Sequence, residues 1–380
     1  MTGKMFKRVF SAALALAMVL ALTGCGGEVS PTQTPESTPE QEANTLVLGV
    51  CRQSASALSF RGVVEDYNDT NPAKTVELVY FDHTNQMLDA IDEGTHVDMY
   101  LLDEPFGVIS SPIGEYWDAS LDLTDYLDTE LAPNLAEALS HDGELRYLPF
   151  DFSVRALHWS LDGEPESFTQ AAQMAANAGT TLFAPWRSRD AIVEYQLYSY
   201  LCSADEAVRS EVLGVVHTLE PDRSDTTSNS AYYDVRLNGH PGFGLSGYDD
   251  SDGSDYSVGI PGAATLGIYE PKMVFGIFSA CDDPDAAWDF LSTLYSADNQ
   301  MQTGWLPATA AALDARLIQM AKYSSEDEAD IAREIINGTT LAIGLNTQDV
   351  EQEWFMNYFI SPERVAVIAA QEDAGEEIFY

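Results

Sequence analysis

Three apolar segments separated by two helical patterns lie near the start of the chain, and they restrict its fold more than any other feature. The apolar segments span residues 45–50, 75–80 and 97–102, and the stretch between the second and third places its apolar residues on one side of a short helix. Parallel strands need a long crossover between them, usually a helix. The order strand, helix, strand, helix, strand therefore predicts an α/β fold with a parallel sheet covered by helices.

Charge excludes two classes of partner. The 380 residues include 18 Lys and Arg against 61 Asp and Glu, a formal net charge of −43. Nucleic acids and anionic membrane surfaces are bound through basic patches, so neither is expected to bind this chain directly. Apolar residues make up 45 % of the sequence, which is enough for a packed core. The length predicts two domains or one large bilobed domain.

The first 25 residues have the pattern of an export signal. Three basic residues precede a 14-residue apolar run, Val9–Leu22, which is shorter than the roughly 20 residues of a transmembrane helix. The run ends in Leu-Thr-Gly-Cys at residues 22–25, which resembles a bacterial lipobox. The resemblance implies that residues 1–24 are a lipoprotein signal peptide and that Cys25 is lipidated, anchoring the protein on the outer face of the bacterial cytoplasmic membrane. The alternative is an ordinary secretory signal with an incidental cysteine.

Residues 25–44 are predicted to be a tether, because they contain regularly spaced prolines, polar residues and almost no apolar ones. The chain after residue 103 alternates less regularly. The sequence predicts an extended segment at 147–159, helices at 168–178, 190–201, 205–218 and 284–295, and an apolar strand at 273–280.

Four short segments, taken in order, resemble those of the extracellular solute-binding proteins of ABC importers, in particular the maltose-binding-like, carbohydrate-associated group. They are Asp142–Pro149 with its Asp-Gly and Tyr-Leu-Pro, Tyr256–Gly262, the Ala-Ala-Trp-Asp-Phe-Leu helix at 286–291, and Gly304–Ala308. One segment departs from the pattern: residues 237–244 stand where the group usually has a Gly-x-Ala-Ala-Met strand. That departure concerns the half of the fold that supplies much of the ligand specificity.

The resemblance implies a two-lobed, type II periplasmic-binding-protein-like fold with a ligand cleft between the lobes. Two or three chain crossings would form the hinge. Lobe one would comprise residues 45–149 plus 262–305, and lobe two residues 150–261 plus 306–380. Such a protein is a monomer without a cofactor, captures a small solute such as a mono- or oligosaccharide, and delivers it to the permease subunits of an ABC transporter in the membrane.

Candidate ligand contacts follow from what a sugar needs: flat apolar faces for its ring, and carboxylates or amides for its hydroxyls. Aromatic and acidic residues near the crossings, at the end of the third strand and in a Gly-rich loop meet these needs, although structural packing remains the alternative for each. They are Trp186, Trp305, Asp151, Phe152, Asp103, Glu104, Phe243 and Tyr248. The spacing of Trp288 with Leu291 and Tyr295 instead predicts a core stripe.

The sequence contains little that indicates metal binding or catalysis. The acidic segment 249–255 resembles a calcium loop, but its glycine comes one acid too early and the final Glu is missing, so no metal site is predicted. Motifs of serine hydrolases, phosphate-binding loops and zinc peptidases are absent, which argues against an enzyme. Two other functions remain: a surface lipoprotein that senses its ligand and reports to a membrane signalling partner, and a surface glycan hydrolase.

The cysteines after Cys25 are too few for a disulfide framework. Cys51, Cys202 and Cys281 are an odd number, and the last two fall in different predicted lobes, where a bridge would hinder closure. We expect buried, reduced thiols.

Overall fold

The computed structural model describes residues 44–51, 60–103, 113–220, 230–239 and 257–343. Its first part contains the predicted alternation of strands and helices. The elements are β1 (Asn44–Cys51), α1 (Phe60–Thr70), β2 (Lys74–Phe81), α2 (Thr84–Asp92), β3 (Met99–Asp103), α3 (Ile113–Ala119) and α4 (Leu135–Leu139). The strand–helix–strand–helix–strand prediction is confirmed, with bounds that differ by a few residues.

The second part is built on two long strands and several helices. Its elements are β4 (Leu148–Trp159), α5 (Phe168–Asn177), α6 (Arg189–Ala191), α7 (Tyr198–Ser203), α8 (Glu206–Thr218), β5 (Tyr232–Leu237), β6 (Ser257–Val258), β7 (Gly267–Ile277), α9 (Pro284–Ser292), α10 (Ala297–Gln302), β8 (Leu306–Pro307), α11 (Ala310–Tyr323) and α12 (Glu326–Gly338). A 3₁₀ turn, Thr293–Tyr295, follows α9.

Polar residues set where many of these helices begin. The side chains of Ser167, Asp205 and Asp283 each accept a hydrogen bond from a backbone N–H three residues ahead, at the starts of α5, α8 and α9. Such caps satisfy N–H groups that the first turn of a helix leaves without partners. Pro284 follows directly in the first turn of α9, where its missing N–H costs nothing.

The predicted helix at 190–201 is interrupted. Residues Ile192–Leu197, between α6 and α7, form a π-helix. A π segment accommodates one extra residue in a helical turn, and apolar periodicity alone does not reveal it.

The sheet is open and mixed, with strand order β2-β1-β3-β7-β4-β5. β1 runs parallel to both β2 and β3, as predicted. β7 lies antiparallel between β3 and β4, and the short strands β6 and β8 both pair with β4. The strands β4 and β7 therefore connect the first, parallel part of the sheet to β5.

Among the described residues, buried side chains form two hydrophobic clusters. The larger contains the strands β1–β3 and most of β7, and side chains of the late helices, such as Leu313 and Ile335, belong to it. The smaller lies entirely within residues 157–260, where Phe168 and Phe183 stack on Tyr232. The lobe bounds drawn from the sequence stay a prediction. Among the described residues, no helix is both long and apolar enough to cross a membrane.

Candidate functional site

Four strands from separate parts of the chain meet at one row of the sheet. Asp103 at the end of β3 pairs with Met273 of β7, which pairs with Asp151 of β4, which in turn pairs with Pro307 of β8. Two predicted site residues, Asp103 and Asp151, thus flank Met273 in register. The pairing of β4 with β7 is irregular here, with register shifts on both sides of Asp151. Such a bulge reorients side chains and often lies beside functional sites.

The Asp151 carboxylate holds this row together. It is buried, accepts a hydrogen bond from the Met273 backbone N–H at 3.1 Å, and accepts another from the Thr303 hydroxyl. The guanidinium of Arg316, also buried, donates to the carbonyls of Gly239 and Thr303 at 2.7 and 3.0 Å. Burial lowers the pKa of Arg316, and the nearby Asp151 carboxylate counteracts that effect. Asp151 is therefore engaged within the protein and fixes the segment that leads into Trp305.

A cavity of about 230 Å³ opens beside this row. Its lining includes Phe150 and Asp151 from β4, Met273 from β7, and Thr303 and Trp305 from the segment before β8. Two of the predicted site residues, Asp151 and Trp305, thus lie in one cavity wall.

Two contacts position Trp305, one at its backbone and one at its ring. Its backbone N–H donates to the Thr303 hydroxyl at 3.1 Å, and the ammonium of Lys272 lies 4.9 Å from the ring centroid, within the range of a cation–π contact. Gly239 packs against the Trp305–Leu306 peptide so closely that a Cβ there would lie 2.7 Å from the Leu306 nitrogen, and its φ of +73° favours glycine.

Charged side chains from β4, β5, β7 and the loop before α6 form a strip. Arg187 and Asp234 are ion-paired at 2.7 Å, and Arg236 follows Asp234 on the same face of β5, because side chains two residues apart share a face. Arg236 then contacts Glu270 of β7, with 3.3 Å between Nη2 and Oε2. We call this set the polar strip: Arg155, Arg187, Asp234, Arg236, Glu270 and Lys272.

A tryptophan lies at each end of the polar strip. At one end, the Arg187 guanidinium lies 5.0 Å from the centroid of Trp186, a side chain that is 45 % exposed. At the other end, Lys272 lies over Trp305. Large apolar side chains are costly to expose, so an exposed tryptophan beside charged groups is typical of a binding surface.

Glu270 lies at the centre of the polar strip, and the positive charges around it stabilise its ionised carboxylate. Its burial opposes ionisation, but Arg155, Arg236 and Lys272 outweigh burial and hold the pKa of the Glu270 carboxyl below its ordinary value. The closest contact joins the Arg155 Nε to Oε1 at 2.9 Å, and the Ser153 hydroxyl donates to Oε2 at 3.0 Å.

Of the remaining predicted site residues, the structure describes two, Phe152 and Asp103. Phe152 is buried and packs edge-to-face on Tyr269, inside the larger hydrophobic cluster. Asp103 is placed by its backbone pairing alone. The predictions for Glu104, Phe243, Tyr248, Cys25 and the acidic segment 249–255 lie outside the described residues. Within the described ranges, no three His, Cys, Asp or Glu side chains come together as metal ligands would.

The three cysteines of the folded part are thiols. Cys51 is buried, whereas Cys202 and Cys281 are partly exposed. The predicted burial is right for Cys51 alone, and reduced cysteines stay a prediction.

The residues at the centre of the polar strip were not predicted from the sequence. Arg155, Arg236, Glu270 and Lys272 each stand in a strand whose other residues are largely apolar or aromatic. Charged residues are rarely buried without partners, so a charge inside an apolar strand is the signal that could have indicated these residues.

Comparison with known proteins identifies the fold. No family model matches the sequence, and no curated protein matches it. Among solved structures, the sugar-binding protein MalE from the phytopathogen Xanthomonas citri is similar, with a TM-score of 0.54 and 15 % identity over 87 % of this chain and 95 % of that one. The fold is that of the type II periplasmic binding proteins.

Two further structures share this type II periplasmic-binding fold. An extracellular solute-binding protein of family 1 from Alicyclobacillus acidocaldarius has a TM-score of 0.51 and 13 % identity, covering 87 % of this chain and 94 % of that one. The protein CpMnBP1, solved with mannotriose bound, has a TM-score of 0.50 and 15 % identity, covering 87 % of this chain and 100 % of that one. At such identities the likeness concerns the fold alone.

Proposed function

We propose that this chain is a solute-binding protein that captures a carbohydrate outside the cell. The observation that supports it most directly is the pair of tryptophans at the two ends of the polar strip. A pyranose ring has an apolar face that packs on an indole ring, and its edge carries hydroxyls that both donate and accept hydrogen bonds. The strip offers planar guanidinium donors and carboxylate acceptors between those two rings.

Polar atoms near Trp186 support the same ligand chemistry. The Arg187 Nε and the Asp234 Oδ1 are buried and have no hydrogen-bond partner among the described residues. A buried donor or acceptor without a partner costs free energy. One sugar hydroxyl, which is both donor and acceptor, matches this pair of atoms.

The fold supports a capture role. The solved structures that share it are described as sugar-binding, solute-binding or mannotriose-bound proteins. In our proposal, lobe one (45–149 plus 262–305) and lobe two (150–261 plus 306–380) close over the sugar, and contacts from both favour the closed state. The protein performs no chemistry and passes its ligand to the permease subunits of an ABC transporter.

The same proposal includes the anchor. Residues 1–24 are removed, Cys25 is lipidated, and residues 25–44 tether a monomeric body to the outer face of the membrane. Labelling of the cells with a fatty-acid analogue tests this. The wild type and a Cys51→Ser variant should take up the label, and Cys25→Ser should not. Label on Cys25→Ser, or none on the wild type, would refute the anchor.

The capture role is tested by calorimetry and thermal shift on the full chain in detergent, with mono- and oligosaccharides that include mannotriose and maltose. A saturating ligand should raise the melting temperature by mass action. Trp186→Ala and Trp305→Ala should each weaken binding by about tenfold or more, as expected for loss of a stacking face. Trp288→Ala, in the predicted core stripe, is the matched control and should retain affinity if it remains folded by circular dichroism.

Two results would contradict the proposal. If no saccharide shifts the melting temperature, the carbohydrate role is wrong. If a saccharide binds and neither Trp186→Ala nor Trp305→Ala changes its affinity, the protein binds sugar elsewhere and the site assignment is wrong.

A further inference from the structure

One buried guanidinium connects two segments of the chain that contribute to the candidate site. Arg316, on α11, is only 3 % exposed. Its Nη1 donates to the Gly239 carbonyl at 2.7 Å, and its Nη2 donates to the carbonyls of Met301 and Thr303 at 3.1 and 3.0 Å. Gly239 lies two residues beyond β5, whereas Met301 and Thr303 lie at the end of α10, just before Trp305. The guanidinium therefore joins the end of β5 to the segment that carries Trp305.

The shape of the guanidinium fixes these three carbonyls relative to one another. The last carbonyls of a helix have no partner within the helix, and Arg316 donates to one in the last turn of α10 and to one just beyond it. The N–H groups of a guanidinium point in fixed directions within one plane, whereas an ammonium is a compact charge on a flexible stem. A lysine at this position would keep the charge and lose the fixed geometry.

Both of the connected segments contact Trp305. On one side, the Thr303 hydroxyl accepts a hydrogen bond from the Trp305 backbone N–H at 3.1 Å. On the other side, Gly239 packs against the peptide that follows Trp305, where a Cβ would lie 2.7 Å from the Trp305 carbonyl carbon. The strand β5, which ends two residues before Gly239, carries Asp234 of the polar strip. Arg316 thus connects Trp305 to the strand that leads to the other end of the polar strip.

Arg316 itself is remote from a ligand. It is buried against three carbonyls, and the described lining of the 230 Å³ cavity does not include it. Burying a charged group costs free energy, whereas its neighbours Leu313 and Leu317 on α11 are buried without that cost. These observations favour a role in the geometry of the Trp305 segment over a role in stability alone.

We propose that Arg316 is a positioning residue for the ligand: it holds Trp305 in place for binding by joining the Trp305 segment to the end of β5. This inference rests on the proposed function and adds a residue that sets affinity without touching the saccharide. A ring that is already in place binds more tightly than one that the ligand must order, because ordering costs free energy on binding. Loss of Arg316 should therefore lower the affinity through Trp305.

A double-mutant cycle tests this inference by calorimetry on the full chain in detergent. The probes are the mono- and oligosaccharides of the capture test, mannotriose and maltose among them. Arg316→Met removes all the donors and should weaken binding by about tenfold. In a Trp305→Ala background the same substitution should weaken binding by less than about twofold, because the ring that Arg316 positions is gone. Arg316→Lys, which keeps the charge, should retain part of the affinity that Arg316→Met loses.

Arg209→Met is the matched control. The Arg209 guanidinium, on α8, also donates to two carbonyls at the end of a short helix, those of Leu201 and Ala204 at 3.0 and 2.9 Å. None of these three residues is in the described lining of the cavity. Both methionine variants should lower the melting temperature, because each leaves carbonyls without donors, but only Arg316→Met should lower the affinity.

The outcomes separate this inference from the proposed function. If the wild type binds none of the saccharides, the proposed function fails and this inference fails with it. If the wild type binds one, the capture role stands, and three results would each show that Arg316 does not position Trp305. These are an unchanged affinity in Arg316→Met, an equal loss in the wild-type and Trp305→Ala backgrounds, and an equal loss in Arg209→Met. If Arg316→Met does not fold by circular dichroism, Arg316→Lys takes its place in the cycle and the same three results decide.

Discussion

Arg155 and Glu270 form an ion pair across β4 and β7, with 2.9 Å between Nε and Oε1 and only 13 % and 9 % of their side chains exposed. This pair joins the two long strands of the sheet just beyond the bulge at Asp151. The charged side chains that we propose as ligand contacts thus also connect the strands β4 and β7. A substitution at one of them can therefore be tested both for protein stability and for ligand affinity.

Glu270→Gln should lower stability at neutral pH and change its dependence on pH. The pKa of Glu270 is lower in the folded than in the unfolded protein, so its contribution is complete above about pH 4.3, the ordinary value for Glu, and is lost as pH falls through the folded pKa. We expect a loss of about 2 kcal/mol at pH 7. Urea unfolding from pH 7 to pH 3 measures it, and the curves of wild type and variant should converge at the acidic end. Glu164→Gln, an exposed loop substitution, is the control, and parallel curves for wild type and Glu270→Gln would contradict the prediction.

Asp151→Asn should destabilise the protein, because the Asp151 carboxylate connects β4 to β7 and to the segment before β8. The carboxylate accepts from the Met273 N–H and the Thr303 hydroxyl, and Asn would replace one accepting oxygen by an NH₂ group that faces a donor. We expect a loss of about 1–3 kcal/mol in the free energy of unfolding by urea. Asp282→Asn, at an exposed position, should change it by less than about 0.5 kcal/mol. Equal values for the two variants would show that Asp151 is not a structural acceptor.

Gly239→Ala should cost more stability than Gly163→Ala, although both glycines have positive φ. A Cβ at Gly239 would lie 2.7 Å from backbone atoms of Trp305 and Leu306, whereas the nearest atom to a Cβ at Gly163 is the Met174 Cε at 3.9 Å. Both variants lose stability because alanine is strained at a positive φ. Gly239→Ala also overpacks its surroundings, at a further cost of about 1–3 kcal/mol. Thermal unfolding measures the difference. If the two melting temperatures are equal, the close approach of Gly239 to Trp305 is wrong.

Cys281 should react slowly with alkylating reagents in the folded protein. Burial, together with the nearby Asp98 and Asp283 carboxylates, raises the pKa of its thiol to about 12, and only the thiolate is a good nucleophile. Mass spectrometry of the Cys281 peptide after iodoacetamide treatment at pH 8 should show little labelling, and complete labelling once urea is added. Equal labelling rates in both states would contradict the raised pKa.

The first part of the sheet could be predicted from the sequence, because a local pattern of residues specifies each of its strands and helices. The strands 45–50, 75–80 and 97–102 are short apolar runs, and the short helix predicted between the second and third of them is α2, Thr84–Asp92, in the structure. The position of β7 could not be predicted, because nothing local in Gly267–Ile277 specifies that it lies antiparallel between β3 and β4. Pairing between strands far apart in sequence is decided by tertiary packing.

The sequence offered residues at the two ends of the polar strip as candidate ligand contacts, but it did not single out the residues at the centre of the strip. Trp186 and Trp305 were recognised by residue type, and Asp151 by its place after a predicted crossing. The centre of the polar strip was missed because its members come from three strands that lie far apart in the sequence; Ser153 and Glu270, for example, are 117 residues apart. Only the register of β4, β5 and β7 brings such side chains together.

The irregular pairing around Asp151 has a mechanical consequence. β4 and β7 form a regular ladder from Phe152 to Ala156, and the ladder is offset only at the two steps beside Asp151. A strand bends and twists more readily at such a bulge, because the ladder of backbone hydrogen bonds is already interrupted there. Any change of angle at this bulge would be passed to Trp305, whose backbone N–H donates to the Thr303 hydroxyl that Asp151 holds.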